Sequence, residues 1–367
     1  MAHLIDTVTT ALFQYVVVWM LLGAGVFFTL RLGFVQFRRL PEAFRAMLAA
    51  QQASAAAGGV LTPFQSFMTA LGATIGTGNI AGVATAIISG GPGALFWIWV
   101  YGLVATAIKF TEAVLGVKYR ITEGDSIQAG PMHYLRDGFG SPGLARAFAL
   151  IAGIGALTTT PFTQPNSIAV VMDSVFGVPT WLAGVVVAVL VWAVIIRGIK
   201  SIGRAAEKLS PLKVGLYLAG GLTVILMFAD RLPTVLAMVF REALTTHSLM
   251  GFGWFVAMRY GIARGVYANE AGYGTAALAY GTAKSDRPSQ QGLQAVMEVF
   301  IVSFVTGTIS ALTILVSGVA ETSIAAAHAG QPYVTSTAAV AAAFNTAVPT
   351  VGGWVVAFCG FLFGYTT

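Results

Sequence analysis

Charge is scarce in this chain. Asp, Glu, Lys and Arg together make up 9% of its 367 residues, against about 25% in soluble domains. With 57% of residues hydrophobic, a water-soluble fold is excluded. Cysteine is nearly absent too: Cys359 stands alone, which excludes an intrachain disulfide and a thiolate metal site. The four histidines, His3, His133, His247 and His328, fall outside the apolar runs and show no ligand spacing, so no metal centre is expected. Neither GxSxG nor HExxH occurs, and no aspartates are paired at membrane depth. An intramembrane hydrolase has nothing to work with. No basic stretch precedes the first apolar run, so no cleavable signal peptide is expected.

What the chain has is long apolar runs. About twenty residues cross a bilayer, and on that rule the complete candidate spans are 11–30, 66–89, 94–117, 145–172, 180–197, 211–229, 251–283 and 293–319. One more begins near Gly353 and meets the end of the chain. The basic residues check this count. Arg31, Arg38, Arg39 and Arg45 follow the first run, and Lys118, Arg120, Arg136 and Arg146 the third. Arg197, Lys200, Arg204, Lys208 and Lys213 follow the fifth, and Lys284 and Arg287 the seventh. They account for most of the 20 Lys and Arg residues, on one side if the spans alternate, whereas the opposite loops hold Arg231 and Arg241. The positive-inside rule then sets the N-terminus outside, in a multi-pass protein of the plasma (bacterial inner) membrane. The net charge of +6 is therefore topology, not a nucleic-acid-binding face. Residues 34–48 set Phe34, Phe37, Phe44 and Leu48 among arginines, the pattern of a helix lying in the interface. Residues 333–346 are too polar to cross and read as a re-entrant or surface helix.

Two of the runs are interrupted. Gly72 to Gly82 reads GATIGTGNIAG, and Ala268 to Thr275 reads ANEAGYGT. Glycine inside a helix costs about 1 kcal/mol relative to alanine, and each backbone group freed in hydrocarbon costs several more. Such breaks persist where they line a cavity, and in transporters that cavity is a midplane solute or ion site. The two broken spans run in opposite directions and lie five spans apart, which signals inverted repeats. Residues 1–65 would form an N-terminal transmembrane helix plus an interfacial helix, 66–230 a first five-helix repeat, and 251–367 an incomplete second one. The helix restarting near Asn79 would turn its positive end towards a carboxylate. Carbonyls freed around Gly72 to Ile75 suit a hard cation. Gln164, between Pro161 and Pro165, offers donor and acceptor to the same cavity. Small residues at Gly76, Ala81, Ala268 and Ala271 favour a small solute. Lys109 and Glu112, three apart on one helical face, are expected to form a structural ion pair.

These residues resemble the alanine or glycine:cation symporter family. The matching stretches are GATIGTGNIAGVATAI (72–87), GGPGALFWIW (90–99), KFTEAVLGVKYR (109–120), GPMHYL (130–135), RGVYANEAGYGTA (264–276) and FLFGYTT (361–367). The resemblance implies an all-α polytopic membrane protein with leucine-transporter-type inverted five-helix repeats and one extra N-terminal helix. It implies import of small neutral amino acids, chiefly alanine and glycine, coupled to Na+ or in some members H+, with no enzymatic activity and no obligate protein partner. Thr77, Gly78 and Asn79 would meet the substrate carboxylate or the cation. Gly72 and Ile75 would give carbonyls to a cation completed by Thr366 or Thr367. Gln164, Asn269, Gly272 and Thr367 would close the substrate pocket. Members of the family continue past the threonine pair, so a C-terminally truncated chain without uptake of its own is expected. Two alternatives stand beside the symporter: a cation channel, since broken helices also line pores, and a non-functional fragment.

Overall fold

The computed structural model describes residues 8, 11–50, 59–123, 126–245 and 253–367. Residues 251–252 of the seventh expected span, with His3 and His247, lie outside them. Helices Ala94–Lys118, Pro142–Phe176, Ile199–Met227 and Pro288–Val316 are long and apolar enough to cross a membrane. Pro63–Thr74 and Thr77–Gly90 qualify together as one span bent by 60°. Tyr15–Arg31, Thr180–Ile195 and Val351–Thr366 are shorter apolar helices. With the second interrupted run, split into Trp254–Asn269 and Thr275–Gly281, every expected span has a helical counterpart. Leu157 is 75% exposed, Trp181 70% and Ile151 69%. Side chains of this kind, standing clear of the protein on consecutive helices, need lipid around them.

Local sequence sets the helix ends. Thr62 and Gln65 form a reciprocal capping box at 3.1 and 3.2 Å, with Pro63 in the first turn, so the first half-helix starts sharply. Ser141 caps the helix beginning at Pro142. Gly177, at φ 65°, closes the helix ending at Phe176. Elsewhere glycine lets helices touch. A Cβ on Gly116 would sit 2.6 Å from the Ala277 Cα and 2.5 Å from its carbonyl oxygen, so Ala94–Lys118 meets the second broken helix backbone to backbone. Gly116→Ala is expected to cost about 1–3 kcal/mol by overpacking. Gly153→Ala, at a glycine with open space around it, should cost nothing. Denaturation midpoints of the two purified variants check the difference.

The two broken helices lie side by side. Pro63–Thr74 packs on Thr275–Gly281, Ala81–Gly90 packs on Trp254–Asn269, and both halves of the second lie along Ala94–Lys118. Ser66 Oγ ties them by donating to the Ala279 carbonyl at 2.8 Å. Helices Ile199–Met227 and Val351–Thr366 cover the other side of the first break. The N-terminal helix Val18–Arg31 rests on Ala94–Lys118 outside this core.

Four expectations change or sharpen. A strand pair, Ile121–Glu123 with Ser126–Gln128, interrupts the all-helical pattern in a loop. The interfacial segment is two helices, Val35–Arg38 and Leu40–Ala49; Phe34, Phe37, Phe44 and Leu48 are all about half exposed beside the Arg39–Glu42 pair. The segment near 333–346 is helix Ser336–Ala347, with Phe344 buried and stacked on Tyr217. Most consequential, the sixth span begins at Ile199 rather than 211. Lys200, Arg204 and Lys208 therefore belong to a helix, and Lys213 is no loop charge.

Candidate functional site

At the first break the helical ladder ends with the Ile75 amide on the Leu71 carbonyl at 2.9 Å. Gly76 is extended, and Thr77–Asn79 make one tight turn before the chain recoils. The groups this frees are satisfied by side chains. Asn79 Nδ2 donates to the Thr74 carbonyl at 2.8 Å, stapling the break from inside. Gln164 Oε1 accepts from the Thr77 hydroxyl at 2.8 Å and from its amide at 3.3 Å. Thr367 Oγ1 donates to the Gly72 carbonyl at 3.2 Å. A Cβ on Gly76 would lie 2.7 Å from Thr367 Oγ1 and 3.2 Å from Gln164 Nε2, so only glycine fits between them. Gly78 faces open space, and the buried Asn79 Oδ1 has no hydrogen-bond partner. Thr77, Gly78, Asn79, Gln164 and Thr367 thus meet around one break.

Asn269 and Gly272 do not add to that cluster. Asn269 is fully buried, its Nδ2 on the Gly265 carbonyl and its Oδ1 accepting from Ser303, each at 2.9 Å. Gly272, at φ 93°, lies against Leu21 of the N-terminal helix, whose Cδ2 would be 2.4 Å from a Cβ placed there. Its amide donates to Glu112 Oε1 at 2.7 Å, and the Gly274 amide donates to the same oxygen at 3.2 Å. Glu112 therefore caps the second break instead of pairing with Lys109.

The partner of Lys109 is Glu298, at 2.9 Å, with the two side chains 1% and 0% exposed. Glu298 Oε1 also accepts from the Thr74 hydroxyl, and Oε2 from the Tyr280 hydroxyl at 3.0 Å. One carboxylate so joins both broken helices to Ala94–Lys118. Sequence reading missed it because Glu298 sits alone in an apolar run with no partner nearby in sequence.

The expected cation ligands converge, but on a different charge. Lys213 Nζ donates to the Gly72 carbonyl at 2.9 Å, to the Ile75 carbonyl at 2.5 Å and to Thr366 Oγ1 at 2.5 Å. It also lies 5.2 Å from the centre of the Phe363 ring. Lys213 is 0% exposed. One signal for it was present. Ala206, Ser210, Lys213, Tyr217, Gly221 and Val224 follow helical spacing and are all buried, so the lysine lies on the inward stripe.

The sequence model of the sodium:alanine symporter family matches residues 1–367. The sodium/alanine symporter AgcS of Methanococcus maripaludis is 37% identical over 371 residues, covering 99% of this chain and 80% of that protein. The amino-acid carrier protein AlsT of Bacillus subtilis is 33% identical, over 82% of this chain and 64% of its own length. Among solved structures, a manganese transporter from Eremococcus coleocola superposes on 84% of this chain and 62% of its own with a TM-score of 0.56 at 14% identity, a likeness of fold alone. The interrupted membrane helices and the matched sequence agree: this multi-pass membrane chain belongs to the sodium:alanine symporter family, a family of transporters and not of enzymes.

Proposed function

We propose that the protein is a secondary active transporter that imports small neutral amino acids, alanine and glycine, by alternating access. The coupling ion is Na+, as in the name of the archaeal relative, with H+ the alternative. The fold reading behind this is inverted five-helix repeats, the second incomplete, behind an extra N-terminal helix, in a plasma membrane with the N-terminus outside. The observation that carries the proposal is the first break: an opened helix turn in the protein interior, lined by Thr77, Asn79 and Gln164, with open space at Gly78. A free amino acid has a carboxylate to take the Thr77 donors in place of Gln164 Oε1 and an ammonium to meet the unpartnered Asn79 Oδ1.

Reconstituted into vesicles, the protein is expected to accumulate labelled alanine when an inward cation gradient is imposed, with glycine competing and large amino acids not. Asn79→Ala should abolish this uptake while the variant still inserts into membranes. A channel behaves differently: it passes Na+ at the same rate with or without alanine. Cation flux that ignores the amino acid would replace the symporter reading, because a coupled site raises its cation affinity when alanine binds.

A further inference from the structure

We infer that the oxygen cradle between the first broken helix and helix Val351–Thr366 is a lysine-ammonium site and not a Na+ site: Lys213 is a tethered cation built into the place where a mobile one was expected. Three observations carry this. First, the acceptors match. An ammonium has three N–H donors, and Lys213 Nζ has three oxygen partners, the carbonyls of Gly72 and Ile75 and the hydroxyl of Thr366. Second, no carboxylate competes. The four ion pairs among the described residues all lie elsewhere, and Pro63–Thr74 and Val351–Thr366 contain no Asp or Glu. The charge is therefore met by main-chain and hydroxyl oxygens alone, the donor set that suits a hard monovalent cation. Third, the side chain is fully buried, with Ser210 and Tyr217 before and after it on the same inward stripe also at 0% exposure. Packing leaves the amine no surface to reach.

Na+ needs several of these same oxygens at once, and the ammonium holds three of them. The two cations exclude each other by space and by charge. The consequence is mechanical. Gly72 and Ile75 belong to the first broken helix and Thr366 to the last helix, so Lys213 ties the break to its neighbour without an ion from solution. A coupling Na+, if one is carried, binds elsewhere in the protein. This assignment goes beyond the proposed transport activity and does not depend on which solute is moved.

The test is equilibrium binding of labelled Na+ to the purified protein in detergent, with no amino acid present. Lys213→Ala vacates the cradle and leaves its oxygens, so it is expected to bind one more Na+ per chain than the unaltered protein. Its thermal midpoint should fall and then climb as NaCl is added, but not with choline chloride. Lys208→Ala, on the exposed side of the same helix, should match the unaltered protein in both measurements. If Lys213→Ala does not yield folded protein, Lys213→Ser, with a hydroxyl for one of the freed carbonyls, serves in its place. Equal Na+ binding by the unaltered protein and the lysine variant overturns the assignment. A failure to transport alanine leaves this binding result standing and strikes only the proposed function.

Discussion

Glu298→Leu is expected to destabilise the protein by about 3–5 kcal/mol, the cost of leaving one partner of a buried ion pair behind. Lys109 is 1% exposed and has this carboxylate as its counter-charge. The leucine also strips acceptors from the Thr74 and Tyr280 hydroxyls. Glu298→Gln, which keeps an oxygen for those hydroxyls, should lose less. The double variant Lys109→Met with Glu298→Leu removes both charges together and should recover much of the loss, since replacing a whole buried pair by apolar groups is often neutral. Denaturation midpoints of these four proteins and of Lys109→Met alone, in one detergent, decide the matter. Additive losses in the double variant would mean that the two residues do not act as a pair.

Most of this core was legible where the sequence breaks a strong local rule. Glycine, threonine and asparagine together inside an apolar run fit a helix that stops better than a packing face, and residues 72–82 do stop, with a 60° bend. Gln164 between two prolines likewise pointed inward, and it bonds to Thr77. What stayed hidden were pairings made across the fold. Lys109 and Glu112 sit three apart, but their side chains answer to helices elsewhere: Glu298 is 189 residues from Lys109, and Gly272 is 160 from Glu112. No local spacing encodes such a choice. The start of helix Ile199–Met227 was misread for a related reason. Arg204, Lys208 and Lys213 looked like one loop cluster, yet helical periodicity sends the first two outward and the third inward. Charge density alone does not distinguish a solvated lysine from one held by carbonyls.

Glu112→Leu is expected to be the most damaging single change at the second break. The turn after Asn269 passes through three residues with positive φ, Glu270 at 52°, Gly272 at 93° and Gly274 at 84°, a path on which the amides cannot rejoin a helical ladder. Glu112 Oε1 takes two of them, those of Gly272 and Gly274. Hydrogen bonds to a charged acceptor contribute about 1.5–3 kcal/mol each, and an amide stranded in a water-poor interior costs several kcal/mol. The leucine variant therefore loses both bonds and strands the buried Gly274 donor. Glu112→Gln retains one oxygen at nearly the same point, so it should keep the turn while giving up the charge assistance. Hydrogen exchange at residues 270–275 separates the cases: strong protection in the unaltered protein, partial in the glutamine variant, little in the leucine variant. Equal protection in all three would show that the turn holds its shape without Glu112. The carboxylate would then have to be explained by its second oxygen, which is buried without a partner.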